Sequence, residues 1–300
     1  MWETEATIEG PYQFKRALKR AAADPTKKVM MEHVSITVSL LIDGEAYAIA
    51  VEQIGASESP VFRVRGNVPT KHEEKAFKEI ERMFQWKVPF QKITDHFQGT
   101  DLAPLFAKLA GTPLILDVNL YFSLMKAIIH QQLNLTFSRR LTARFVHTFG
   151  FQKDGVWFPP SAETISRLNH EDLTALQFSG RKAEYIIDAS KRIAAGKLPL
   201  HTLHALSNES IVAALTKFRG IGPWTAESVL LFGMGRPSVF PYADIGLQNA
   251  LKKWYQLEEK PTREQMEKWR TSWSPYETYA ALYMWEFLKD PSLAELQRDG

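Results

Sequence analysis

The chain has 300 residues, 45% of them hydrophobic and 24% charged, which suits a globular protein of two domains or of one large domain with an appendage. It contains no cysteine, so disulfides, cysteine-ligated zinc and iron–sulfur clusters are excluded together. The formal net charge of +3 is too small to define a partner class by itself.

In chain order, the start MWETEATIEG is acidic and polar, unlike a secretory signal. No apolar run reaches the ~18 residues of a membrane span, so a cytoplasmic protein without membrane association is expected. PYQFKRALKRAAAD carries apolar residues three and four apart and predicts a helix. MEHVSITVSLLIDGEAYAIAVEQIG holds two β-rich runs around Asp43-Gly44, a hairpin signal, and VFRVRGNV from Val61 predicts a further strand. The strand signal fades after Pro69. KHEEKAFKEIERMFQW, PFQKITDHFQ, DLAPLFAKLAG and NLYFSLMKAIIHQQL then follow as short helices with turns between them. The fold class expected is α+β, with a small antiparallel-sheet domain at 1–105 and an all-helical domain at 106–300.

Between Lys126 and Gly150 the charged residues are Lys126, Arg139, Arg140 and Arg144, with no acid. Such a stretch is either the footprint of a phosphate-rich partner or a solvated helix face. Further on, ESIVAALTKF has helical periodicity and runs into FRGIGPWTA. Gly220 can adopt the positive φ that ends a helix, and Pro223 suits the first turn of the next. The predicted turn exposes backbone N–H groups at a helix start, where phosphate binds; an ordinary αα-hairpin with a glycine cap reads equally well. Pro241 then breaks the chain. Asp244 opens another helix, as an N-cap, as a carboxylate held near the hairpin, or as both.

FRGIGPWTA followed by PSVFPYADIGLQNAL resembles the helix–hairpin–helix DNA glycosylase superfamily, and within it the alkylation-repair branch of 3-methyladenine DNA glycosylase II, the AlkA type. KAIIHQQLNLTFSRRLTARFVHTFG, FSGRKAEYIIDAS and PYETYAALYMW extend the resemblance to roughly residues 110–290. Asp244 lies three residues after Pro241, where some members have two.

The resemblance implies base-excision repair of double-stranded DNA containing alkylated bases. A damaged purine is rotated out of the duplex and its N-glycosidic bond hydrolysed, leaving an abasic site. Asp244 becomes the catalytic carboxylate. Trp224 and Trp285 become the aromatic pocket for a cationic base, with Tyr276 and Tyr283 as neighbours. Leu133, beside Gln132, matches the residue that fills the gap left by the flipped base. Arg219, Gly220, Ile221, Gly222, Thr225 and Lys182 match positions against the DNA backbone. The carbonyls of Thr216, Phe218 and Ile221 match a monovalent-cation site for Na+ or K+; no other cofactor is implied. Bifunctional relatives carry a lysine where this chain has Trp224, so no lyase activity is expected. His130 and His147 lack metal-ligand spacing with any partner and are read as structural or surface residues. A monomer is expected. Two other readings stay open: a non-catalytic DNA-binding module, and a glycosylase for oxidised or mismatched bases.

Overall fold

Asp43 and Gly44 both sit at positive φ, 51° and 81°, and close a two-residue hairpin between strands β3 (Ser35–Ile42) and β4 (Glu45–Gln53). In the computed structural model, which describes residues 1–297, these strands are central to a five-stranded antiparallel sheet. Its order is β1-β5-β4-β3-β2, with β1 at Trp2–Thr7, β2 at Lys27–Met30 and β5 at Val61–Gly66. The acidic N-terminus is thus an edge strand. Glu3 and Glu5 lie opposite Arg65 and Arg63 in register, and alternate with more buried residues. One helix, α1 (Phe14–Ala21), precedes β2.

Helices dominate after β5. They are α2 (Thr70–Met83), α3 (Phe90–Phe97), α4 (Ala103–Leu109), α5 (Leu120–His130) and α6 (Leu135–Phe149), then α7 (Ala162–Ser166), α8 (His170–Thr174), α9 (Gly180–Ala194) and α10 (Asn208–Leu215), and finally α11 (Pro223–Ser228), α12 (Ile245–Trp254), α13 (Arg263–Trp273) and α14 (Glu277–Lys289). This half is not wholly helical. Strands β6 (Phe151–Lys153) and β7 (Val156–Phe158) form a small hairpin whose turn residues, Asp154 and Gly155, repeat the positive-φ pair of the first one. Lys153 Nζ donates to the Ala46 carbonyl at 2.7 Å, which ties this hairpin to the main sheet.

Hydrophobic packing gathers the chain around two cores. The first joins the inner face of the sheet (Val38, Val51, Phe62, Val64) to α2–α4 and also to α12 and α14, through Leu247, Leu251, Tyr279 and Phe287. The second is built from α5–α11, with Phe122, Phe145, Ile186, Ile211 and Val229 buried in it. Phe232 and Trp285 are half-buried and touch both cores, so they mark the seam. A buried ion cluster also joins the two parts. Lys126 Nζ of α5 lies 3.0 Å from Asp24 Oδ2 and 2.5 Å from Asp117 Oδ1, and Lys27 Nζ lies 3.3 Å from Asp24 Oδ2. Among the described residues no helix is long and apolar enough to cross a membrane.

Candidate active site

The seam is shaped by the turn between α10 and α11. Gly220 has φ +85°, and a Cβ there would lie 2.3 Å from Tyr185 Cγ, so both backbone and packing require glycine. Gly222 differs: a Cβ there would meet nothing within 4 Å, so its surface faces open space. Pro223 begins α11, and Ala226 N–H donates to the Gly222 carbonyl at 3.1 Å. Among the described residues, no backbone acceptor takes the N–H of Gly220 or Gly222. From the α5–α6 loop, Gln131 Nε2 donates to the Gly220 carbonyl and to Thr225 Oγ1, both at 2.8 Å. The loop that carries Gln132 and Leu133 is thereby fixed against the turn.

Asp244 caps α12. Its Oδ1 accepts the Leu247 backbone N–H at 2.7 Å. The same oxygen accepts Trp285 Nε1–H at 3.0 Å, and Oδ2 accepts Trp224 Nε1–H at 3.1 Å. The three-residue spacing from Pro241 is closed by a turn in which Asp244 N–H donates to the Pro241 carbonyl at 3.0 Å. The cap and functional readings of Asp244 therefore describe one geometry. Both oxygens are gripped by neutral donors, which fix the carboxylate's direction without cancelling its charge. No Lys, Arg or His nitrogen lies within ion-pair distance of it among the described residues. Carboxylate, two indoles, hairpin and seam meet at one place, where ligand sites between packed units are common.

Phe232, in a π-helical turn at Val229–Gly233, stacks on Trp285 with centroids 5.9 Å apart and planes at 23°. The sequence reading did not include it, although π turns often occur at functional positions. Ile245, directly after Asp244, is 60% exposed and was also passed over. So was Glu227, one turn beyond Trp224 on α11. Burial pushes its carboxyl up to about 7; Arg263 opposes the shift and Asp244 adds to it.

Other candidates are placed elsewhere. Tyr283 is a core residue, 1% exposed, packed on Phe106 with its hydroxyl 3.5 Å from the Thr112 carbonyl. It stands two residues from Trp285, about 200° round the helix, so the two cannot line one pocket. Tyr276 lies nine residues before Trp285, about 13 Å along α14. It packs edge-on against His96 and borders a separate cavity of about 380 Å³ with Arg82, Gln85 and Pro237. Neither tyrosine joins the cluster of Asp244, Trp224 and Trp285. Lys182 donates to the carbonyls of Ile128, Ile129 and Gln131 at 3.0, 2.7 and 2.7 Å, so all its donors cap the end of α5 and none is left for a phosphate.

Ile221 and Thr225 are buried, so their side chains do not reach the surface. Arg219 is exposed, ion-paired with Glu184 and placed over the Tyr185 ring. Gln132 is exposed at φ +53°, and Leu133 is half-buried beside it. The Phe218 carbonyl accepts the Ile221 N–H at 3.1 Å, while those of Thr216 and Ile221 accept no backbone N–H outside the helices among the described residues. His130 is half-buried against Thr142 and held neutral by desolvation, with Lys126 and Lys182 adding to the effect.

Comparison with known proteins gives the chain a family. The family model of the HhH-GPD superfamily of base excision DNA repair proteins matches residues 125–275. A Bacillus subtilis protein described provisionally as a DNA-3-methyladenine glycosylase is 46% identical over 96% of this chain and 100% of its own length. A second B. subtilis protein, named DNA-3-methyladenine glycosylase, is 32% identical over 70% of this chain and 72% of its own. The structure of a 3-methyladenine DNA glycosylase from Archaeoglobus fulgidus superposes with a TM-score of 0.83 over 98% of this chain and all of that one; at 24% identity this speaks to the fold alone. The Schizosaccharomyces pombe 3-methyladenine DNA glycosylase, solved with abasic DNA, is 26% identical with a TM-score of 0.60 over 67% of this chain and 98% of that one. The chain belongs to the HhH-GPD superfamily of base excision DNA repair proteins.

Proposed function

We propose that this protein is a monofunctional DNA glycosylase that flips an alkylated purine out of duplex DNA and hydrolyses its N-glycosidic bond. The observation that carries the reading is the Asp244 carboxylate, gripped by Trp224, Trp285 and the start of α12. Alkylation at N3 or N7 makes the purine a cationic leaving group. As the bond breaks, positive charge moves from base to deoxyribose. A carboxylate whose charge is not already paired stabilises that state and orients water toward the sugar carbon. The indole faces beside it attract a cationic base by about 0.5–2 kcal/mol, so charge rather than a hydrogen-bond pattern selects the substrate.

Several features support the DNA side of the reading. The N–H groups of Gly220 and Gly222 hold a strand phosphate, with a turn-bound Na+ or K+ adding positive charge. Leu133 fills the stack once the base has left. Trp224 stands where a lyase needs an amine, so no Schiff base forms there and the product is an intact abasic strand. The relatives' names, which specify 3-methyladenine, agree with this substrate class.

The test is Asp244→Asn in single-turnover base release from methylated duplex DNA. The expected loss is roughly 10²–10³-fold with duplex binding retained. Base release at the wild-type rate would remove Asp244 from the chemistry. Because an amide nitrogen would face an indole N–H, the variant's thermal midpoint is measured alongside. Strand nicking by the unmodified protein would contradict the monofunctional assignment.

A further inference from the structure

We propose that Gly246 is a positioning residue of this site: the side chain it lacks leaves the space in which Trp285 reaches Asp244. The proposal rests on the reading of Asp244 given above. Gly246 is the second residue of α12, two positions after the capping Asp244. A Cβ built there would lie 3.1 Å from Asp244 Oδ1 and 3.5 Å from both Cδ1 and Nε1 of Trp285. That same Oδ1 accepts the Trp285 Nε1–H at 3.0 Å and the Leu247 N–H at 2.7 Å. Indole edge and carboxylate oxygen thus close over the place where any other residue carries its first side-chain carbon.

The path of the chain does not ask for glycine here. Gly246 lies inside a helix and outside the left-handed region, so every residue type can adopt its backbone. Glycine in a helix is less stable than alanine. Gly220 is the opposite case, since its positive φ alone selects glycine. At Gly246 the atoms that exclude a side chain are those of Asp244 and Trp285 and no others within 4 Å.

Neither neighbour has free room to retreat. Asp244 is held by Leu247 N–H and Trp285 Nε1–H on one oxygen and by Trp224 Nε1–H on the other. Trp285 is covered on one face by Phe232, with centroids 5.9 Å apart. An added methyl would press on Oδ1 from well inside the roughly 3.5 Å of an unstrained contact, and relief has to lengthen one of these bonds. Stabilisation by a charge depends on where that charge stands as the bond breaks. A misplacement near 1 Å costs about a hundredfold in rate. Alanine, which needs a shift of only a few tenths of an ångström, should cost about three- to tenfold, and valine, with two more carbons in the same space, about a hundredfold. Helix propensity acts the other way on stability, so activity and stability should part in Gly246→Ala.

The experiment is single-turnover base release from methylated duplex DNA by Gly246→Ala and Gly246→Val, expressed per folded molecule. Two further readings accompany it: affinity for an abasic-site duplex, and the Trp285 indole N–H resonance, assigned by its loss in Trp285→Phe. Release should slow by the factors given while affinity stays within about twofold, since the carboxylate acts on the reaction rather than on the bound duplex. The indole resonance should move upfield as its bond to the carboxylate lengthens, more in valine than in alanine. In an Asp244→Asn background, Gly246→Ala should slow the residual rate no further. Wild-type release by both folded variants would overturn the proposal. So would slowed release with the indole resonance unmoved, or an equal loss in the Asp244→Asn background. Should the valine variant not fold, the rate and resonance of Gly246→Ala decide alone. Asp244→Asn separates the two levels. If it releases base at the wild-type rate, the glycosylase reading fails; if it is slow and Gly246→Ala is not, only the role of Gly246 fails.

Discussion

Asp24 and Asp244 carry the same carboxylate and are treated in opposite ways. Asp24 is buried where the two parts of the chain meet, and Lys126, Lys27 and Thr26 surround it. Burial alone would raise its pKa, but the two ammonium groups outweigh that and hold it well below the usual carboxylate range. Asp244 lies half-buried at the seam between the cores and receives three N–H donors, none of them charged. The first carboxylate is neutralised by its cations and serves as a rivet. The second is only aimed, and its charge remains available to an incoming cation. Residue type does not separate structure from chemistry here; the charge of the partners does.

The largest effect that sharpens this contrast is on stability. Lys126→Met leaves Asp24 and Asp117 buried without their shared cation, and should cost about 3–5 kcal/mol. The pH dependence carries the sign. Asp24 has a depressed folded pKa, so its contribution is present above the ordinary carboxylate pKa of about 4 and is lost as pH falls below it. The gap in denaturant midpoint between wild type and variant should therefore be widest at neutral pH and narrow toward pH 2. A gap that does not change with pH would mean that the ion cluster is not the source. Folded variant protein should still release base at the wild-type rate, whereas Asp244→Asn should show the reverse pattern.

Gly220→Ala comes next. It forces a left-handed backbone on alanine and drives a methyl into the Tyr185 ring, whose root cannot swing aside. A cost of about 2–4 kcal/mol in thermal unfolding is expected. A loss below 0.5 kcal/mol would show that the turn repacks freely, and would weaken the view that it is a rigid clamp.

Much of this was legible in the sequence because it is local. Asp43-Gly44 between two β-rich runs announces its hairpin, and GIGPW announces the helix–turn–helix. Asp154-Gly155 carries the same signal. It is easily passed over because its strands are three residues each and are held by packing on the main sheet rather than by their own propensity. Strand β1 was hidden for a related reason. Its glutamates suit a strand only opposite Arg63 and Arg65, some 60 positions away. The site divides in the same manner. Asp244 and the two tryptophans follow from spacing and resemblance. The exclusion of Tyr283 follows from helix geometry, since Tyr279, Tyr283 and Phe287 recur every four residues as a core stripe and Trp285 falls off it. Lys182 could not have been placed, because its partners are carbonyls at the end of another helix. Glu227 carries no motif at all, and only the desolvation around it marks it.

The smallest expected change in stability is the most informative about DNA. Gly222 has φ −92° and ψ 175°, a conformation open to any residue, and its side-chain direction meets no atom within 4 Å. Nothing inside the protein requires glycine there. Alanine should leave the thermal midpoint within the equivalent of about 0.5 kcal/mol, with the loss of unfolded-chain freedom acting to raise it slightly. If the N–H groups of this turn approach a phosphate, the added methyl stands in the path of the strand. Duplex affinity should then fall by about tenfold, the equivalent of one lost charge-assisted hydrogen bond. Fluorescence anisotropy on an abasic-site duplex measures this directly. Unchanged affinity at unchanged stability would leave Gly222 without a role in protein or complex, and the phosphate contact would have to be assigned to another part of the seam.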